Sequence, residues 1–432
     1  MELYNALRDY EASGSMIRVG LVGAGQMGEG LASQMELMHG MRAYAIADVL
    51  PGRAAQALKT AKVASKDIVE TDDPATAAQA VEDGKRVATT KASILATVPG
   101  LDIVVEATGI PEVGAQVAFD AIANRKHVLQ MNVETDATVG FILRKLAKSA
   151  GIVYTLTAGD EPGSTMELFD FAKSLGFEVI AAGKGKNNPL DRTANPESVA
   201  EKAKSQMMNP KMLASFVDGT KTMVEMTSFG NAVGFVPDIP GMHGPEVTPK
   251  TIADVFQPKT DGGILNGTGV VDYGRGIAPG VFVVFTTDHP KIVRDLQYLS
   301  MGSGPNWALY RPYHLTSLET PISIARAVLK QETTIATDIP PVAETVAFAK
   351  RDLKAGETID ALGGFTVYGM IEAAATAKKE GIIPLGLAPG ATLTRDLKAG
   401  EPVCYGDVDL DTDTAIYHLR QMQEQYLGRA DS

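Results

Sequence analysis

Glycines at 23, 25 and 28, in the run Gly23-Ala24-Gly25-Gln26-Met27-Gly28, have the spacing that lets main chain close around a diphosphate. The first allows a tight turn, the second admits the anion to the backbone, and the third brings a helix against a strand. The amides at Gln26 and Met27 then open that helix toward negative charge. A bare G-x-G-x-x-G is a weak signal. Here the apolar run IRVGLV precedes it and helical spacing follows, so dinucleotide binding is preferred over a glycine-rich turn alone. Asp48, twenty-five positions beyond Gly23, is an acceptor for ribose hydroxyls and suits NAD. Arg53 suits the 2′-phosphate of NADP, or is a solvated residue opening the next helix, and the sequence leaves the choice open. Thr108 and Gly109, which close the strand-like run LDIVVEATG, complete the cofactor candidates.

A second constellation is basic. Lys184 and Lys186 alternate with Gly183 and Gly185 and are followed by Asn187 and Asn188, a pattern able to grip a phosphate or an oxyanion. Lys221, in Asp218-Gly219-Thr220-Lys221, is placed to protonate the alkoxide formed when a carbonyl is reduced. Glu225 follows one helical turn later, and an i, i+4 ion pair explains the two equally well. Asp160 and Glu161, with Glu225 as a third acid, offer hard oxygen donors for Mg²⁺ or Mn²⁺; the plainer reading is that the first two cap the helix that follows. His243 and His314 read either as general acids or as exposed loop histidines. The only cysteine, Cys404, excludes an internal disulfide and a thiolate zinc site.

These side chains need elements to hold them. Strands are expected over residues 17–22, 43–48, 101–109, 127–132 and 152–159, with helices over 29–39 and 113–124 between them, an alternation that predicts a doubly wound parallel sheet. A further strand is expected over 177–185 and helices within 196–208 and 211–229. Residues 230–311, rich in glycine, proline and aromatics, are expected to form a substrate region of loops and short strands. The heptapeptide RDLKAGE stands at 351–357 and again at 395–401, which predicts a small pseudo-symmetric β unit with a tight turn at each Ala-Gly step. The expected domains are residues 1–160, 161–338 and 339–432.

A chain of 432 residues with a formal net charge of −12 is long enough for several cores and a poor partner for nucleic acid or an anionic membrane. No apolar run is long enough to span a bilayer and the N-terminus has no signal-peptide h-region, so a cytoplasmic enzyme, assembled as a homo-dimer or tetramer, is expected.

From residue 17 to about 330 the chain resembles the homoserine dehydrogenase superfamily, in particular its branch of 1-deoxy-D-xylulose 5-phosphate reductoisomerase-like proteins. Gly183-Lys184-Gly185-Lys186-Asn187-Asn188-Pro189 and Glu225-Met226-Thr227-Ser228-Phe229-Gly230-Asn231 carry the likeness. Residues 346–357 resemble a SAF domain, of the β-clip fold. The resemblance implies NADPH-dependent conversion of 1-deoxy-D-xylulose 5-phosphate, a sugar phosphate, into 2-C-methyl-D-erythritol 4-phosphate for isoprenoid synthesis, aided by a divalent metal. It also implies that the Asp218–Lys221 stretch carries a catalytic lysine. The serine-rich substrate loop of the orthodox reductoisomerase is absent. Two alternatives stand beside this one: simple hydride exchange with a small aldehyde or polyol, and a non-catalytic regulator sensing NAD(P).

Overall fold

The computed structural model describes residues 2–430, which form two compact units interleaved along the chain. The first comprises residues up to 163, 315–338 and those from 418 onward; the second comprises 164–314 and 339–417.

In the first unit, β1 (Ile17–Val22), β2 (Met41–Ala47), β3 (Ile68–Glu70), β4 (Arg86–Thr89), β5 (Ile103–Glu106), β6 (His127–Gln130) and β7 (Tyr154–Leu156) form one parallel sheet. Its order is β3-β4-β2-β1-β5-β6-β7, so the winding direction reverses between β1 and β5. That reversal opens a crevice at the carboxyl ends of the strands. Parallel strands covered on both faces must be apolar throughout, and Ile17, Val19, Leu21, Ile46, Ile103, Val105 and Leu129 are all fully buried. Each such side chain contributes about 1.5–3 kcal/mol by leaving water.

Helix ends follow local chemistry. The helix Val133–Ala150 starts where the Asn132 side chain accepts from the Thr135 amide and stops at Gly151, whose φ of +72° is the left-handed conformation. The helix expected over 29–39 runs instead from Gln26 to Met35, because Gly25 already serves as its N-cap.

The second unit holds a mixed sheet of β8 (Glu178–Lys186), β9 (Val236–Pro237), β10 (Val270–Arg275), β11 (Val281–Thr286) and β12 (Asn306–Arg311) in the order β12-β11-β8-β10-β9. The strand expected over 177–185 is therefore the centre of this sheet, parallel to β10 and antiparallel to β11. The single helix expected over 211–229 is two, Pro210–Val217 and Thr220–Val233, broken at Gly219, which turns at a φ of +90°. Asp218 beside the break is buried and ion-paired to Lys350 at 2.8 Å, an interaction that a helical pattern does not announce.

β13 (Ala343–Ala349) and β14 (Val367–Ala373) form an antiparallel ladder, and β15 (Thr392–Leu393) pairs with β16 (Val408–Asp409). The two RDLKAGE copies embrace: Leu353 and Leu397 exchange both main-chain hydrogen bonds at 2.9 and 3.0 Å. Lys354 reaches Asp396 at 2.7 Å while Lys398 reaches Asp352 at 2.8 Å. Gly356 and Gly400 supply the expected turns, with φ of +85° and +82°.

The charged partners are mostly exposed whereas Leu353 and Leu397 are about 1% exposed, so the apolar pair holds the clasp. Leu397→Ala is expected to lower unfolding free energy by about 2–5 kcal/mol in urea titration. Lys354→Ala is expected to leave the midpoint close to that of the parent.

Candidate functional site

In the first unit the glycine run folds as its spacing requires. Gly23 has a φ of +98°, and a Cβ there would meet the Ala107 carbonyl group and the Thr108 nitrogen at 3.0–3.2 Å. A Cβ on Gly28 would lie 1.9 Å from the Gly23 carbonyl oxygen, so no side chain is possible there. Gly25 is different: nothing lies within 4 Å of where its Cβ would be. Its lack of a side chain serves nothing inside the protein and leaves room for a group from outside. Gln26 and Met27 follow at the exposed first turn of the helix. These five positions form the cradle that a diphosphate fits.

Asp48 follows β2 and its carboxylate is used by main chain: one oxygen accepts from the Ala24 amide at 2.9 Å and the other from Leu50 at 3.0 Å. Arg53 donates through Nε to the Ala24 carbonyl at 3.2 Å, and its side chain is 47% exposed. Thr108 and Gly109 lie on the other side of the switch point, just beyond β5. A cleft of about 280 Å³ opens at the ends of β2, β3 and β4, lined among others by Gly52, Ala55, Asp72, Thr89 and Thr90. The Thr90 and Thr89 hydroxyls and the Thr90 amide bond Asp72 and pull its carboxyl down to about 2.

In the second unit, the two-residue period of β8 puts Lys184 and Lys186 on one face and Gly183 and Gly185 on the other. The glycines are required there: a Cβ on Gly183 would stand 1.9 Å from the Asp272 carbonyl oxygen, and one on Gly185 would stand 2.4 Å from the Ala278 nitrogen. The close approach covers that face of the strand, and on the other face both lysines are also buried, at 6% exposed. Lys184 is ion-paired with Glu225, itself buried. Lys186 donates to the Phe216 carbonyl at 2.6 Å, and burial together with neighbouring Lys184 lowers its ammonium to about 8.

Lys221 is the second residue of the helix Thr220–Val233 and half-buried; Glu225 lies on the same helix face one turn on. The structure thus brings Lys184 to Glu225, an interaction not foreseen in the sequence. Asn188, two residues beyond β8, accepts from Lys202 at 2.7 Å. Asp160 and Glu161, both half-buried, stand just beyond β7, where Glu161 begins the helix Glu161–Ser174.

His243 is held at both ring nitrogens, by Asp272 at 2.8 Å and by Asp238 at 3.3 Å. The hydrogen bond to Asp272, on β10, raises its pKa. Glu106, the last residue of β5, was missed by sequence reasoning: it lies inside the run LDIVVEATG with no motif to mark it, and it is fully buried.

Residues 23–156 match the family model of the homoserine dehydrogenase NAD binding domain, 159–320 that of the catalytic domain of oxidoreductase DRL, and 344–409 that of the SAF domain. No curated protein matches the chain. Among solved structures, a probable dehydrogenase from Thermotoga maritima is 13% identical with a TM-score of 0.41, over 73% of this chain and 90% of that one. The apo scyllo-inositol dehydrogenase from Lactobacillus casei is 11% identical with a TM-score of 0.40, over 74% and 90%. An NAD binding oxidoreductase from Klebsiella pneumoniae is 20% identical with a TM-score of 0.30, over 42% and 45%. No helix among the described residues is long and apolar enough to cross a membrane.

Gly25 and Gly28 separate by experiment. Gly25→Ala is expected to keep the parental melting temperature and weaken dinucleotide binding at least tenfold in a fluorescence titration, whereas Gly28→Ala is expected to lose stability as well. The chain carries an NAD-binding domain of the homoserine dehydrogenase type, an oxidoreductase catalytic domain and a SAF domain, the domain set of an NAD-binding oxidoreductase.

Proposed function

We propose that the protein is an NADPH-dependent reductase of a small phosphorylated carbonyl compound, and that its reaction is the reductoisomerisation of 1-deoxy-D-xylulose 5-phosphate to 2-C-methyl-D-erythritol 4-phosphate. The observation that carries the first part is the buried pair of lysines on one face of β8, Lys184 ion-paired with Glu225 and Lys186 with its ammonium lowered to about 8, within residues matched to an oxidoreductase catalytic domain. Keeping a lysine charged away from water is costly, and an anionic substrate is chemistry that offsets that cost at Lys186. The second part rests on the likeness of the Gly183–Pro189 and Glu225–Asn231 stretches to the reductoisomerase-like branch.

When bound, the nicotinamide supplies the hydride. The chain's own residues do the rest. The open space at Gly25 receives the diphosphate, and Arg53, half-exposed beside Ala24, supports the 2′-phosphate of NADPH over NADH. Lys184 and Lys186 hold phosphate or enolate oxygens, with Asn188 as a further polar contact. Lys221 delivers a proton to the substrate oxygen that becomes hydroxyl, and Glu225 orients Lys184. Asp160 and Glu161 offer the carboxylates for Mg²⁺ or Mn²⁺, whose chemistry is to polarise adjacent carbonyl and hydroxyl oxygens.

A second reading, simple hydride transfer to a small aldehyde or polyol, is favoured by the homoserine dehydrogenase type of the cofactor domain. The two part on products. With 1-deoxy-D-xylulose 5-phosphate, NADPH and either metal, cofactor consumption with a rearranged carbon skeleton is expected; no consumption on this substrate, with turnover on another carbonyl of a phosphorylated ketose and aldehyde panel, establishes the second reading instead.

Lys221→Ala is expected to lower kcat about 10²-fold or more, and an unchanged kcat removes Lys221 from proton transfer. Because Lys186 is cationic below about 8 and neutral above it, the KM for the phosphorylated substrate is expected to rise between pH 7 and 9. Lys186→Ala starts with a high KM and shows no such rise.

A further inference from the structure

The segment 107–110, which contains Thr108 and Gly109, is held at both ends by buried side chains. At one end the Thr108 amide donates to Glu106 Oε1 at 2.8 Å; at the other, Asn132 Nδ2 donates to the Ile110 carbonyl at 2.9 Å. The same segment lies against the glycine turn, since the space above Gly23 is closed by Ala107 and Thr108. Glu106 therefore sits one hydrogen bond from the wall of the cofactor cradle. It is 0% exposed, opposite Val22 on β1 and Gln130 on β6.

Polar and acidic groups face it. From β6 and the turn after it come Gln130 and Asn132, from the helix Val133–Ala150 comes Glu134, and from β7 comes Tyr154, whose hydroxyl donates to Asp136 at 3.0 Å. Glu106 Oε2 and both amide heteroatoms of Gln130, its register partner, are buried without hydrogen-bond partners. A proton on Oε2 removes the charge from this dry polar cluster, whereas a carboxylate there has only neutral amides as neighbouring donors and bears the cost of a desolvated charge.

We propose that Glu106, as a neutral acid, is a positioning residue that holds segment 107–110 against the glycine turn, and that loss of its proton loosens the segment and weakens dinucleotide binding. The carboxyl is pushed up to about 7, chiefly by burial and with Glu134 adding like-charge repulsion, while the bond from Thr108 and the nearby Asn132 amide act the other way. The acid form thus prevails below neutrality and is lost above it. Because a carboxyl with a raised pKa favours the folded arrangement most when protonated, the hold on the loop weakens as pH rises through 7.

The inference rests on the dinucleotide site described above, and the experiment separates the two. Dissociation constants for NADPH and NADH are measured between pH 5.5 and 8.5 on the full chain and on Glu106→Gln, which keeps an acceptor for Thr108 and cannot ionise. The parent is expected to bind about tenfold more weakly at pH 8 than at pH 6, and Glu106→Gln to keep the tighter affinity throughout. Parallel pH profiles for the two proteins overturn the proposal, as does a tenfold loss for Glu106→Gln at pH 6. If neither cofactor binds the parent at any pH, both the proposal and the cofactor site fall. Should Glu106→Gln not fold, infrared difference spectra of the parent decide: a protonated carboxyl band at pH 6 that fades by pH 8 is expected, and its absence at pH 6 overturns the proposal.

Discussion

The first unit is organised around a single steric fact: main chain at Gly28 lies so close to the Gly23 carbonyl that not even a methyl group fits. This approach sets where the helix Gln26–Met35 begins and therefore where its free amides gather, at the end of β1 beside the reversal in sheet order. The device recurs. Gly163 has the Thr157 carbonyl oxygen 2.0 Å from its would-be Cβ, so the helix starting at Glu161 is drawn onto the chain after β7 in the same way. Gly183 and Gly185 do for the second sheet what Gly28 does for the first, since they let neighbouring main chain come close on the face opposite Lys184 and Lys186.

Buried charge must be matched, and the manner of matching separates scaffold from chemistry. Lys350 is 5% exposed and donates to Asp218, to the Ala194 carbonyl and to the Gly364 carbonyl at 2.7–2.9 Å, which uses all three of its hydrogens. Such a lysine has every donor engaged and joins the SAF-like segment to the turn before the helix Thr220–Val233. Lys186, equally buried, meets one backbone carbonyl and has given up part of its hold on its proton. A satisfied cation is architecture, while a cation close to neutrality is what a reaction or an anion can use.

What the sequence made legible follows from how local each signal is. The glycine cradle, the alternation of strands and helices, and the two turns of the RDLKAGE repeat are short-range patterns, and the structure carries all three. The break at Gly219 was illegible because its partner, Lys350, lies 132 positions from Asp218. The membership of residues 178–186 in a second sheet depends on pairing with β10 and β11, more than eighty residues on, which periodicity does not report. Glu106 was hidden for a related reason. No motif in the run LDIVVEATG marks it, and only the neighbours on β1 and β6 show that it is buried.

Asp48 shows how a motif residue can be rightly located and still need a fuller account. Its spacing from Gly23 marks it for the ribose, yet both carboxylate oxygens are already engaged by the amides of Ala24 and Leu50. The first work of this carboxylate is to fix the second residue of the cradle, so any loss of binding on removing it mixes damage to the turn with loss of a ribose contact. Carboxylate oxygens hold further lone pairs, so the two roles are compatible, but they are not separable by changing Asp48 alone. Arg53 touches the same turn through Nε only, and the exposed remainder of its guanidinium is the group whose chemistry differs between the two nicotinamide cofactors. Under the proposed cofactor reading, a hydroxyl and a phosphate on the adenosine ribose would be told apart more cleanly by the cation than by the acid that the spacing rule selects.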